Sequence, residues 1–201
     1  MLKSFSGSIC AGILISIGGA VFLSCDNRYV GAILFSVALL CICYKAYYLF
    51  TGKVGYIVES HTKKDWCNLI CGLAGNLITT FLLGMLLRAA IPAMGENAAA
   101  ICANKLTVPL LSVLIRSVFC GVLMYLSVSI FRDHKTPLAI LFCIPVFILS
   151  GFEHSIADMF YFGASGIFDS RIILFQIMVV LGNSIGGVAL PLLQKVGEKN
   201  D

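Results

Sequence analysis

Glu153 and His154 stand side by side in a stretch, from about Pro137 to Phe162, that is otherwise strongly apolar. A carboxylate and an imidazole can exchange a proton, hold an anion or orient backbone. Ionisable groups inside membrane segments are costly and by default face a pathway or cavity rather than lipid. The plainer use of Gly151-Phe152-Glu153-His154-Ser155 is a re-entrant loop whose polar groups only tie helices together. An intramembrane enzyme would need a nucleophile or metal constellation, and His154 with Glu153 offers no recognisable third partner. An unpaired buried charge costs several kcal/mol. Glu153 is therefore expected to orient backbone or a neighbouring helix rather than touch a substrate.

The elements that must position this pair are membrane helices. The chain has 201 residues, of which 59% are apolar and 12% charged. A soluble domain has roughly 45–50% apolar and about 25% charged residues. A spanning helix needs about 20 apolar residues, so six with short loops fill 1–201 as a single transmembrane domain. Most of the nine cysteines lie within apolar segments, where they act as small hydrophobes. Cys67 and Cys71 lack the paired Cys/His motif of a metal site, so no metal or cofactor is expected. The net charge of +4 gives no reason to invoke nucleic acid. The start Met1-Leu2-Lys3 lacks a strong basic region and a clear cleavage site, and reads as the beginning of a spanning helix.

In chain order, the first helix runs from about Phe5 to Ser24. Ser8, Gly12, Ser16, Ala20 and Ser24 give it one smooth face for close approach, within a subunit or between subunits. The second begins near Tyr29, is apolar to Leu40 and breaks at Thr51-Gly52; apolar character returns from Val54 to Val58. Non-helical backbone at that depth survives only where protein buries it or where it lines a cavity. A half-helix starting after Thr51 would aim its positive end, and Lys53, at the midplane. The third helix spans about Trp66 to Ala90 with a small or polar face of Gly72, Asn76, Thr80 and Gly84. The loop from Arg88 to Lys105 has room for a short surface helix. The fourth runs from about Leu106 to Phe131 with Pro109 in its first turn; Arg116 either reaches into a cavity or, the favoured placement at that depth, snorkels to the interface. The fifth begins at Pro137 and breaks at Ser150-Gly151. The sixth spans about Ser170 to Leu193, carries Gly182-Asn183, and leaves a tail from Gln194 to Asp201. His61 and His134 fall in polar loops and are expected to be solvated.

The halves match: each has a plain helix, a broken helix, and a helix bearing Gly-Asn. Three helices per half is odd, so the repeats, about 5–90 and 106–194, are expected to be inverted. Paired interruptions in inverted repeats point to a midplane substrate site. Lys3, Lys63, Lys64, Arg132, Lys135, Lys195 and Lys199 fall on one side, and Arg28, Arg88, Lys105 and Arg171 on the other. The bias favours both termini in the cytoplasm.

Gly151-Phe152-Glu153-His154-Ser155-Ile156-Ala157-Asp158-Met159 resembles the signature of the formate/nitrite transporter family, with Asp158 where asparagine is usual. Leu49-Phe50-Thr51-Gly52, Gly75-Asn76-Leu77 and Gly182-Asn183 with Gly186-Gly187 resemble its other motifs. Thr79, Gly121 and Tyr48 depart from it, standing where glycine, asparagine and an acidic residue are usual; Lys45 and Lys53 depart too. The resemblance implies an aquaporin-like fold, a homopentamer with one pore per subunit, and a small monovalent anion as substrate. It implies His154 as the central pore histidine, Thr51 as its partner, and Phe35, Leu39 and Phe147 as apolar constrictions with Leu49 and Phe50 beside them. It places Lys105 near the outer vestibule. On the residues alone, Phe35, Leu39 and Phe147 read as plain core, and Lys105 reads equally as an interfacial anchor.

A mechanism follows from the cost of dehydrating an anion, several kcal/mol or more in a dry constriction. Positive vestibules would gather the anion, apolar rings would bar it, and a proton supplied through His154 would let the neutral acid pass. Two other readings stay open. One is a non-conducting structural or sensory subunit whose pore is plugged by Lys45 or Lys53. The other is a water or glycerol channel, suggested by fold type alone.

Overall fold

The computed structural model describes residues 1–197. Lys199, counted above for orientation, and the end of the tail lie outside the described residues. Among the described residues, four helices are long and apolar enough to cross a membrane: α1 (Leu2–Ser24), α4 (Lys63–Ala90), α6 (Leu110–His134) and α9 (Arg171–Gly197). Two shorter apolar helices, α2 (Arg28–Tyr44) and α7 (Leu138–Leu149), each end in a non-helical link. After the first link come α3 (Phe50–Lys53) and a 3-10 turn (Val54–Val58); after the second comes α8 (Ser155–Ser165). Between α4 and α6 lies α5 (Pro92–Lys105).

Local chemistry sets several boundaries that the apolar pattern misplaces. Thr62 and Asp65 form a reciprocal capping box, so α4 begins at Lys63 rather than near Trp66. Pro109 is the cap of α6 rather than a residue of its first turn, and α6 starts at Leu110, not Leu106. It runs past Phe131 to His134, where Lys135 takes a positive φ of 55°. The sixth helix continues past Leu193 to the end of the described residues. The segment before Lys105 is a full helix with Met94, Gly95, Ala98 and Cys102 buried, so it is packed into the molecule and not laid on its surface.

The halves interlock. α1 packs on α2 and α4, and α6 packs on α7 and α9. The short segments cross over: α8 lies against α4, and the 3-10 turn lies against α9. Small residues permit both crossings. A Cβ on Gly163 would meet the Phe81 carbonyl of α4, and one on Gly55 would meet the Gly187 carbonyl of α9. The small face of α1 is used inside the chain, where Gly12 sits against Thr79 of α4. Outward positions such as Ile33, Ile70, Phe119, Phe142 and Ile173 are exposed and apolar, as a lipid- or subunit-facing surface requires.

Gly186 of α9 is the tightest of these contacts with backbone, since a Cβ there would run into the Val118 carbonyl of α6. Overpacking by one methyl costs about 1–3 kcal/mol. Gly186→Ala is expected to lower the melting temperature in detergent by several degrees. An unchanged Tm would show that α6 and α9 can separate freely.

Candidate functional site

Two asparagines hold the two links. Asn76 of α4 accepts from the Phe50 N–H at 2.8 Å and donates to the carbonyls of Tyr48 (3.0 Å) and Ser8 (2.8 Å). Asn183 of α9 accepts from the Ser155 N–H at 2.9 Å and donates to the carbonyls of Glu153 (2.8 Å) and Ser117 (2.9 Å). Each amide thus satisfies the first N–H of the helix beyond the link, a carbonyl within the link, and a carbonyl of the half's first helix. Both asparagines are fully buried. Gln176 adds a bond to the Ser155 carbonyl at 2.6 Å.

The first link is not where the Thr51-Gly52 pair suggested. The chain leaves helix at Lys45, turns at Ala46 with φ 55°, and re-enters helix at Phe50, so Thr51 lies inside the first turn of α3. The Asn76 bonds explain this, since they satisfy the Tyr48 carbonyl and the Phe50 N–H on either side of extended Leu49. With only four residues in α3 there is little aligned dipole to aim at the midplane, and Lys53 sits at its far end.

The two links bring Thr51 and His154 together, with Thr51 Oγ1 2.9 Å from His154 Nε2. They are 1% and 2% exposed. His154 Nδ1 accepts the Ala157 N–H at 3.2 Å and caps α8. A neutral imidazole that accepts at Nδ1 carries its proton on Nε2. His154 therefore donates to Thr51 Oγ1, and the Thr51 hydroxyl hydrogen is left for another acceptor. Phe147 stacks on the imidazole with centroids 5.6 Å apart, and Phe35 meets Phe147 edge-on at 6.3 Å. Phe35, Leu39, Leu49, Phe50 and Phe147 are all buried.

Two cavities approach this cluster. A larger one, about 720 Å³, is lined by Phe147 and His154 at its floor and by Asp26, Arg28, Lys105, Arg116, Glu153 and Asp158. A smaller one, about 200 Å³, is lined by Leu39 and Leu49 and by Lys53, Tyr56, Arg132 and Lys135. Their charge differs: acids and bases are mixed in the first, and only bases line the second. Arg132 also pairs with Glu59 at 3.0 Å, and Lys53 lies 5.9 Å from the Tyr56 ring centroid.

Lys105 lines the larger cavity and is paired there with both Glu153 and Asp158, the latter at 2.9 Å. Arg116 lines the same cavity. Lys45 is exposed, as are His61 and His134. Asp158 was visible in the sequence only as a departure from a motif, yet its i+4 spacing from His154 puts both on one helical face. Among the described residues, no cluster of three or more His, Cys, Asp or Glu is placed to hold a metal ion.

A formate/nitrite transporter family model matches residues 1–196. YwcJ of Bacillus subtilis (strain 168), an uncharacterized transporter, is 28% identical over 217 residues that cover 94% of this chain and 85% of that protein. Among solved structures, a pentameric formate channel with formate bound superposes with a TM-score of 0.80 at 23% identity, covering 100% of this chain and 98% of that one. An FNT family ion channel superposes with a TM-score of 0.78 at 23% identity, covering 94% and 85%. At these identities the two structures establish the fold. A transporter model that spans nearly the whole chain, on a bundle of apolar helices, makes this a membrane protein and not an enzyme; the chain belongs to the formate/nitrite transporter family.

Proposed function

We propose that this protein is a channel for small monovalent anions of weak acids, of the formate, nitrite or hydrosulfide type, and that they cross as the neutral acid after taking a proton near His154. The observation that carries the reading is the buried Thr51–His154 pair, set among apolar side chains between two charged cavities. The smaller cavity gathers the anion on Lys53, Arg132 and Lys135. Leu39, Leu49, Phe50, Phe35 and Phe147 replace none of its water, and stripping a charge of water costs several kcal/mol. The conjugate acid pays far less. His154 first takes a proton at Nδ1, which releases the Ala157 N–H, then gives its Nε2 proton to the anion and returns to neutral imidazole, while the Thr51 hydroxyl steadies the atom that receives it.

The architecture proposed with this is six spans in two inverted three-helix repeats of one domain, aquaporin-like, with the links of α2–α3 and α7–α8 as the two interruptions. The matched asparagine bonds and the reciprocal crossings support it. The pentameric state of the similar formate channel supports a homopentamer with one pathway in each subunit. The lysine and arginine bias puts both termini, and the smaller cavity with Arg132 and Lys135, on the cytoplasmic side.

Uptake of formate, nitrite and hydrosulfide by proteoliposomes, at acidic and at neutral pH, tests the reading. Uptake of at least one is expected, faster at acidic pH, and the ranking names the substrate. No uptake of any would return weight to the non-conducting reading, in which Lys53 closes the smaller cavity.

A further inference from the structure

The larger cavity holds a charge arrangement that the pathway described above does not use. Lys105 is the shared partner of two carboxylates, Glu153 and Asp158, and both are buried, at 3% and 2% exposure. One ammonium between two carboxylates leaves the cluster with a surplus negative charge, which is expensive where water is scarce. Asp158 Oδ1 is held by Lys105, while Asp158 Oδ2 is buried with no hydrogen-bond partner among the described residues. An orphaned carboxyl oxygen in a cavity wall is either a proton's seat or a socket for a donor.

We infer that Asp158 is a second proton-carrying group of this channel, on the Lys105 side of the Thr51–His154 pair, and that it hands a proton to weak-acid anions in the larger cavity before they reach His154. The inference rests on the transport reading above. The step balances simply. The Asp158 carboxyl turns its Oδ2–H into the cavity and bonds to a lone-pair atom of the anion, oxygen or sulfur; that lone pair takes the proton, and Asp158 is left as a carboxylate bonded to Lys105. A proton from cavity water then restores it. The same carboxylate repels an unprotonated anion from its own wall of the larger cavity, whereas the smaller cavity with its three bases attracts it. Besides Lys105 and Glu153, which contact or share the ion pair of Asp158, the charged and titratable groups lining the same cavity are Asp26 and Cys25, Arg28 from α2, Arg116 from α6, His154 from the link and Tyr161 from α8.

Asp158→Asn is nearly isosteric and keeps the Lys105–Glu153 pair. Sided flux in oriented proteoliposomes, with pH stepped only on the Lys105 side, is expected to lose severalfold of its acid stimulation in this variant, while pH steps on the opposite side act as in the native protein. Infrared difference spectra of native protein carrying 13C-carboxyl aspartate are expected to show an isotope-shifted protonated-carboxyl band that bleaches on alkalinisation. Native flux with a superimposable Asp158→Asn pH profile would overturn the proposal, as would spectra without the labelled band, which hold even where the variant does not fold. A labelled band in a protein that transports nothing would keep the proton site and sink the channel reading, so the two failures are told apart.

Discussion

His154→Leu is expected to cut flux of the weak-acid substrate on the order of 10²-fold, the low end of what a positioned proton donor contributes. It also removes the pH dependence of flux entering from the smaller cavity. Leucine takes away two things at once: the proton on Nε2 and the cap that Nδ1 gives to the Ala157 N–H. His154→Asn separates them. Asparagine is among the best N-cap residues, so α8 keeps its first turn, but an amide cannot carry a proton across the neutral range. Both variants should therefore lose the pH response, and only leucine should also lose thermal stability, by about 1 kcal/mol for the cap. Flux measured with pH varied on the Arg132 side decides the matter. Undiminished flux with a native pH profile in His154→Asn would mean that the substrate takes its proton elsewhere.

Asn183→Leu is expected to have the largest effect on folding. The side chain is fully buried and serves the Ser155 N–H and the carbonyls of Glu153 and Ser117. Each buried polar group left without a partner costs about 1–3 kcal/mol, and lipid offers no water to take over. Three such groups cost about 3–9 kcal/mol, most of the roughly 5–15 kcal/mol that holds a typical protein folded. The variant is expected to elute as aggregate on size exclusion after detergent extraction. Asn183→Asp, which keeps the acceptor for Ser155 but not the two donors, should fall between. Asn76→Leu should behave likewise through Phe50, Tyr48 and Ser8. A monodisperse Asn183→Leu protein with near-native Tm would show that the second link stands without its brace.

Sequence periodicity located the apolar helices and the two places where they break, because lipid makes an uninterrupted apolar run the default and any polar or glycine-rich interruption conspicuous. Gly-Asn in α4 and α9 was legible for the same reason: a buried amide must find partners, and only freed backbone is available. The first break was misplaced by several residues. Gly52 marks close packing against Val128 of α6, while the turn itself is made at Ala46, which carries no compositional signal. The capping box at Thr62 and Asp65 was present in the sequence, hidden inside a run of polar residues that reads as loop. Lys105 and Asp158 could not be joined from sequence, since α5 and α8 are distant in the chain and meet only through packing. Depth along a helix left Arg116 with two placements, since it says how far a side chain is from the interface and not whether a cavity, here the larger one, reaches it.

The reciprocal crossing, with α8 on α4 and the 3-10 turn on α9, also has a consequence for biogenesis. A ribosome releases this chain from the amino end, so α3 and its turn enter the membrane long before α9 exists. Until then Gly55 faces no Gly187, and the short re-entrant piece has nothing to seat it. The nascent first half must wait, shielded by the insertion machinery or by α4 alone, and the final helix to emerge is the one that locks both halves. Arrested nascent chains that stop short of α9 should accordingly remain protease-sensitive at Lys53, and release of the complete chain should protect that site in one step.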